Sequence, residues 1–359
     1  MLKQNTASGS HNHSERAQNI SRIAEVDALR GIAALGVVWF HFTSHFEDVF
    51  GAHKSSILFE FPFGRQCVDL FFMISGFVIL MTAERCAKST DFLVARFARL
   101  YPAYWCAVAF AFSFCYFTDV LLNKTNSRLH ALVNLSMVQK LVDVPHVSGV
   151  FWSLYVELSF YVLVAVLICL SRLELLRWVL LALAVVYAMF VKTSFGFPQY
   201  GDVVSRFFPI VEFAHYFCFG VWVYLIREKW DWRFVPVVSC LWLCALLQNQ
   251  AISALVNGVV FTLAVFGRLP WLPNRLFLFL GTISYSLYLV HDNFGYVLII
   301  FAEKWGVDSN VAVLVATVAS VCVASALCFY VERPANRLIR GLWAKSKSSK
   351  TPTPSSPLS

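Results

Sequence analysis

Charge is scarce in this chain. Asp, Glu, Lys and Arg make up 14% of its 359 residues, against about 25% in ordinary soluble domains. That shortage excludes a solvated shell around a soluble core, which would have to enclose 34 Phe and 11 Trp. Cysteine is present, but its ten residues show neither zinc-type pairs nor a loop framework, so they read as small core residues and no metal site is expected. A Gly-x-Ser-x-Gly nucleophile elbow is missing, and no cysteine stands out as a nucleophile. No internal repeat and no separate soluble domain can be read. Residues 1–25 are polar and lack an apolar core, so no cleavable signal peptide is expected.

What is abundant is apolar sequence. Hydrophobic residues reach 58%, and they cluster in stretches near the roughly 20 residues needed to cross a bilayer. Ten are predicted, at about 26–46, 65–83, 100–120, 150–170, 177–191, 208–226, 234–249, 252–267, 276–300 and 311–331, the fifth, seventh and eighth being short. If the N-terminus is cytoplasmic and the spans alternate, the inner segments hold twenty Lys and Arg and the outer loops eight. This is the bias of the positive-inside rule. The reading is an all-α, polytopic membrane helix bundle with both termini cytoplasmic. Its net charge of +8 then reflects topology and contact with anionic membrane lipids, not nucleic-acid binding. Disordered ends are expected at 1–25 and 345–359, around a transmembrane unit at 26–331. The outer loop 121–149 contains an apolar piece, "LHALVNLSMV", that fits a segment dipping back into the protein or lying on the membrane surface.

Ionisable residues inside such spans are costly and mark partners or cavities. Arg30 and His41 in the first span are eleven residues apart, about 16 Å along a helix and about 20° around it. They share a face at different depths, with Arg30 near the inner end. Both could also snorkel to their interfaces. Glu157 lies about two turns into the fourth span, at a depth similar to His41; a carboxylate beside an imidazole would orient it as a general base. Asp69 opens the second span, either as a helix cap or as a member of the His41 cluster. Arg96 and Arg99 share a helical face before the third span, suited to phosphates or to anchoring the topology. Ser284, Tyr288 and His291 form a polar stripe in the ninth span, either on a substrate path or in helix–helix hydrogen bonds. Residues 332–344 read as a short amphipathic helix on the inner membrane surface, with Leu338, Ile339, Leu342 and Trp343 on its apolar face and no catalytic content.

Taken in order, these stretches resemble the acyltransferase-3 family of integral membrane acyltransferases, in the form without a fused soluble domain. The resemblance rests on Asp27 to Gly31 with His41, on Cys67 through Phe77, and on Arg96, Arg99, Tyr101 and Pro102. It continues through Trp152, Ser153, Leu154 and Glu157, Ile283 through His291, and Glu332 to Pro334. Cys67 stands where the family has Gly, and Leu158-Ser159 stands where many members have Glu-Gln.

The resemblance implies transfer of an acyl group, usually acetyl from acetyl-CoA, to a hydroxyl of a carbohydrate or glycolipid acceptor outside the inner or plasma membrane. No permanently bound cofactor is implied. His41 and Glu157 would be catalytic, and Arg30, Arg96 and Arg99 would bind the CoA phosphates. Asp69, Trp152, Ser284, Tyr288 and His291 would line the substrate path. The competing class is a transporter or flippase for an envelope glycan or lipid, although the matched, interrupted halves common in transporters are not seen.

Overall fold

The computed structural model describes residues 23–118, 128–189, 201–229 and 233–348. Helices occupy all ten expected spans: α1 (Ala24–Phe42), followed by the short α2 (Ser44–Phe50), α3 (Gly64–Ala83), α4 (Ser89–Thr118), α6 (Trp152–Cys169), α7 (Leu176–Tyr187), α9 (Ile210–Lys229), α10 (Phe234–Leu247), α11 (Ala251–Val265), α12 (Arg275–Lys304) and α13 (Ser309–Leu327). Two further short helices, α5 (Arg128–Asn134) and α8 (Gly201–Phe207), sit in the outer loops, and α14 (Arg333–Ser348) ends the described chain. No strand occurs among the described residues.

Five helical segments are long and apolar enough to cross a membrane: Ala24–Phe50, Gly64–Ala83, Gly149–Cys169, Ile210–Glu228 and Ser309–Lys347. Helices α10 and α11 are apolar but short. Among the rest, α12 is long enough, but its run His291-Asp292-Asn293 interrupts the apolar sequence.

Local chemistry sets the helix starts. Asn274 caps α12 by accepting from the Phe277 N–H at 3.0 Å. Asp308 caps α13 through the N–H groups of Asn310 and Val311. Both satisfy backbone donors that a helix leaves open at its first turn. Asp69 does no such work. It lies inside α3, buried, and accepts from the Tyr216 hydroxyl at 3.0 Å. The cap expected of it is therefore not formed, because α3 begins five residues earlier, at Gly64.

Helix α12 packs most extensively on α1 and on α13, while α9 packs on α3 and α7, and α1 also meets α3. Two of these crossings depend on glycine. A Cβ on Gly281 would run into the Asp27 carbonyl of α1, and one on Gly31 would meet the backbone of Gly281 and Phe277. Gly76 of α3 and Gly220 of α9 make the matching close approach, each lying against backbone of the other helix. Without a hydrophobic driving force between helices in lipid, such small residues let backbones approach and raise van der Waals contact.

The outer loop after α4 does turn back onto the bundle. Tyr101, Tyr104 and Trp105 of α4 donate to the carbonyls of Ser136, Asn134 and Leu135. At the other end, a π-helical turn over Cys328–Glu332 leads from α13 into α14. Helix α14 runs to Ser348, four residues beyond its expected end. It docks on the start of α4, where Asp91 accepts from Trp343 Nε1 and Lys347 Nζ, each at 2.8 Å. Those hydrogen bonds, that of Lys347 first, hold the Asp91 carboxyl below its ordinary range. The expected disordered segment 1–25 lies outside the described residues up to position 22, as does the tail beyond Ser348.

Replacing Gly281 by Val tests the α1–α12 crossing. The added atoms meet backbone rather than a movable side chain, so the loss of stability is expected to be about 1–3 kcal/mol, as for overpacked cores. Thermal unfolding of detergent-solubilised protein should show a lowered Tm, while Gly341→Val, in open space, should leave it nearly unchanged.

Candidate active site

Helices α1 and α12 run parallel, and the glycine crossing fixes their register. His41 lies ten residues beyond Gly31, and His291 ten residues beyond Gly281. The two imidazoles meet accordingly, His291 Nε2 standing 3.0 Å from His41 Nδ1.

Hydrogen-bond roles follow from the neighbours. His291 Nδ1 faces the carbonyls of Leu287 and Tyr288 at 3.1 and 3.0 Å. Carbonyls only accept, so this nitrogen carries the proton, and neutral His291 presents Nε2 as an acceptor. His41 Nδ1 then donates toward His291 Nε2 and the Val37 carbonyl, the latter also at 3.0 Å. Nε2 of His41 is left with its lone pair, the form a general base requires.

Asp292, buried beside the pair, accepts from Ser148 Oγ at 2.7 Å and the Gly149 N–H at 2.8 Å.

Three cavities follow one another along the bundle. The outer one, about 570 Å³, is lined by His41, His45, Arg65, Trp152, Tyr155, Phe213, Asp292 and Tyr296, among others. The middle one, about 210 Å³, includes Ser75, Arg96, Glu157, Tyr161 and Ser284. The inner one, about 500 Å³, is lined by Arg30, Arg99, Glu332, Arg333, Arg337 and Arg340, with Asp27. Val68 and Tyr288 are walls of both the outer and middle cavities. Arg30, Val78 and Arg99 are walls of both the middle and inner ones. A polar lining at membrane depth is tolerated where it faces a cavity.

The structure sorts the expected site residues by depth. His41, Trp152 and Tyr288 line the outer cavity. Trp152 packs on Phe213, ring centroids 5.3 Å apart, and the Tyr288 hydroxyl meets Ser153 Oγ at 2.6 Å. Glu157 and Ser284 belong to the middle cavity. Glu157 accepts from Tyr161 at 2.6 Å and Ser75 at 3.2 Å, so the expected pairing with His41 is not among its hydrogen bonds; His291 takes that place.

Arg99 reaches Glu332 Oε1 at 2.6 Å, and Ser286 donates to Glu332 Oε2 at 2.7 Å. Glu332 is buried while Arg99 is half-buried, so losing Arg99 would leave a buried carboxylate without its cation. Arg96 stacks near Phe92 and Tyr161 and lines the middle cavity, not the inner one. Asp69 is outside all three linings.

Several contributors were not read from the sequence. Asp292 was passed over although it follows His291 directly in an apolar helix. Arg333, Arg337 and Arg340 follow i, i+4, i+7, one helical face, yet this helix had been assigned only to the membrane surface. Its arginine face walls the inner cavity, while Leu338 and Leu342 stay exposed on the outside. Among the described residues, no group of three His, Cys, Asp or Glu is placed to hold a metal ion.

The family profile described as "Acyltransferase domain" matches residues 23–330. The chain is similar to the acyltransferase MdmB of Streptomyces mycarofaciens, 26% identical over 89% of this chain and 93% of that one. It is similar to Nodulation protein 10 of Rhizobium leguminosarum bv. viciae, 25% identical over 90% and 95% of the two chains. The putative acetyltransferase ORF330 of Acidianus two-tailed virus is 24% identical over 75% and 82%. No solved structure matches. With the profile spanning the bundle from the start of α1 to the end of α13, the chain belongs to the acyltransferase-3 family and is a multi-pass membrane acyltransferase.

Proposed function

We propose that this acyltransferase uses a cytosolic acyl-CoA, acetyl-CoA by preference, and acylates a hydroxyl of a carbohydrate or glycolipid held in the outer cavity, at the inner or plasma membrane of the cell. The observation that carries the reading is the series of cavities with shared walls, arginine-lined at one end and holding the His41–His291 pair at the other. Five guanidiniums against two carboxylates give the inner cavity the charge and forked geometry that phosphates require. A slender pantetheine arm suits the small middle cavity, where Glu157, Ser75 and Tyr161 offer partners to its amides. The aromatic walls of the outer cavity suit the apolar faces of a sugar ring, with Asp292, Asn293 and Arg65 for its hydroxyls.

Chemistry in this arrangement is direct transfer. His41 Nε2 takes the acceptor hydroxyl's proton as its oxygen attacks the thioester carbonyl. The C–S bond breaks, an ester forms, and the departing CoA thiolate is protonated by the imidazolium or by water. His291 keeps Nδ1 of His41 engaged throughout, and so acts as a positioning residue. The sidedness lets a cytosolic thioester act on the far side without carrying the charged nucleotide across hydrocarbon, which would be very costly.

His41→Ala is expected to lower turnover by about 10²–10⁴, the usual contribution of a general base, at equal membrane abundance. His291→Ala is expected to lower kcat and alter its pH profile while leaving the KM for acetyl-CoA nearly unchanged. Radiolabelled acetyl-CoA with purified protein in vesicles measures both. Near-normal turnover of His41→Ala removes it as the base.

Arg337→Ala with Arg340→Ala is expected to raise the dissociation constant for acetyl-CoA and to flatten its salt dependence, since phosphate attraction is screened by ions. In oriented vesicles, donor should work only from the arginine side and an impermeant acceptor only from the His41 side. Activity with both on the arginine side contradicts the proposed path.

A further inference from the structure

Transfer needs the thioester at the point where the donor's arm, in the middle cavity, meets the acceptor in the outer one. Two residues are common to both linings, Val68 and Tyr288, and of these Tyr288 alone carries a polar side chain. Its ring centroid lies 5.9 Å from that of His291, which in turn lies 4.9 Å from that of His41. A phenol therefore stands beside the histidine pair, at the junction that the thioester carbonyl has to occupy. Negative charge collects on that carbonyl oxygen when the acceptor attacks, and a preorganised donor aimed at it is a large term in acyl transfer.

The other hydroxyls of these walls are committed elsewhere. Tyr161 and Ser75 donate to Glu157. Ser284 donates to the Gly281 carbonyl and Tyr285 to that of Leu100, each at 2.9 Å. Tyr155, in the outer cavity, donates to the Arg206 carbonyl at 2.6 Å. Tyr288 differs, because two hydroxyls converge on one acceptor. The Val150 carbonyl is 3.0 Å from the Tyr288 hydroxyl and 3.3 Å from Ser153 Oγ, and the two hydroxyls are 2.6 Å apart. Each hydroxyl carries one hydrogen and can also accept. Ser153 can hold the carbonyl while the hydrogen of Tyr288 turns to a ligand, and no buried group is orphaned.

From this geometry we propose that Tyr288 is a catalytic residue, its phenol donating a hydrogen bond to the thioester carbonyl oxygen, with Ser153 as the positioning residue that takes over Val150. The inference rests on the acyl-CoA reading above and adds the group that stabilises the developing charge. As His41 takes the acceptor's proton, the acceptor oxygen bonds to the carbonyl carbon, and the π pair moves onto the carbonyl oxygen, which accepts from Tyr288. The pair then returns, the C–S bond breaks, and the thiolate takes the proton from the imidazolium. Tyr288 keeps its own proton throughout.

The test uses the full chain in vesicles with labelled acetyl-CoA. Tyr288→Phe is expected to lower kcat by about 10²–10³ with the KM for acetyl-CoA nearly unchanged, the mark of an interaction made in the transition state. Incorporation of 3-fluorotyrosine at position 288, a more acidic phenol of nearly the same shape, should keep kcat at or above that of the unaltered protein. Ser153→Ala leaves the Val150 carbonyl to Tyr288, and should cost about three- to tenfold in kcat, the worth of one neutral hydrogen bond. In the Tyr288→Phe background it should cost almost nothing further. Near-normal kcat in Tyr288→Phe overturns the assignment. So do losses from the two substitutions that simply multiply, as independent structural effects would. If Tyr288→Phe does not fold, mono- and difluorotyrosine at 288 decide in its place: kcat that fails to rise with phenol acidity overturns the donor role. Normal turnover of Tyr288→Phe beside inactive His41→Ala removes this inference alone, whereas absence of transfer from acetyl-CoA in the unaltered protein removes the acyl-CoA reading and this one with it.

Discussion

The close approach of α1 and α12 at Gly31 and Gly281 is the constraint on which the rest depends. Two parallel helices locked at one point carry that register along their length. Ten residues, about 15 Å, further on, it brings His41 and His291 to 3.0 Å. A side chain at either glycine would push the helices apart by more than a hydrogen bond tolerates. The histidine pair is therefore a consequence of backbone packing well below it. The same packing determines which tautomer His41 can hold, because His291 is itself committed to carbonyls of its own helix.

Burial of polar groups at membrane depth is otherwise hard to sustain, and the bundle handles it in three ways. Some groups are paired, as Arg99 is with Glu332 and Ser286 with the same carboxylate. Some take backbone partners, as Asp292 does with the Gly149 N–H. Others face the cavities, where Arg30 and Arg96 stand. The π-helical turn before α14 matters here. It aims Glu332 inward at Arg99 and sets the arginines of α14 on the wall of the inner cavity. A helix that would otherwise serve only as an interfacial anchor thereby becomes part of the protein's interior surface.

The comparison of sequence with structure turns on range. Arg30 and His41 lie on one helix, where 1.5 Å and 100° per residue fix their relation, and their shared face was legible. So was the stripe ending at His291. The partner of His41 was not: Glu157 had a suitable depth and charge, but depth on two helices says nothing about their rotation. In the folded bundle Glu157 turns toward Ser75 and Tyr161. Asp69 was misread for a related reason. It takes neither expected role, cap or member of the His41 cluster, because α3 starts at Gly64 and sets the carboxylate against Tyr216 of α9.

The sequence by itself determined that this protein is a polytopic helix bundle, where its apolar helices lie, and which family motifs they carry. Those properties follow from hydropathy, the Lys and Arg bias, and spacing within single helices, all local along the chain. Only the tertiary structure decided that His291 rather than Glu157 meets His41, that α14 walls the inner cavity, and that Asp69 lies against Tyr216. Each of these depends on how helices distant in sequence rotate and slide against one another. Glycine contacts and packing set that arrangement, and no periodicity within one helix encodes it.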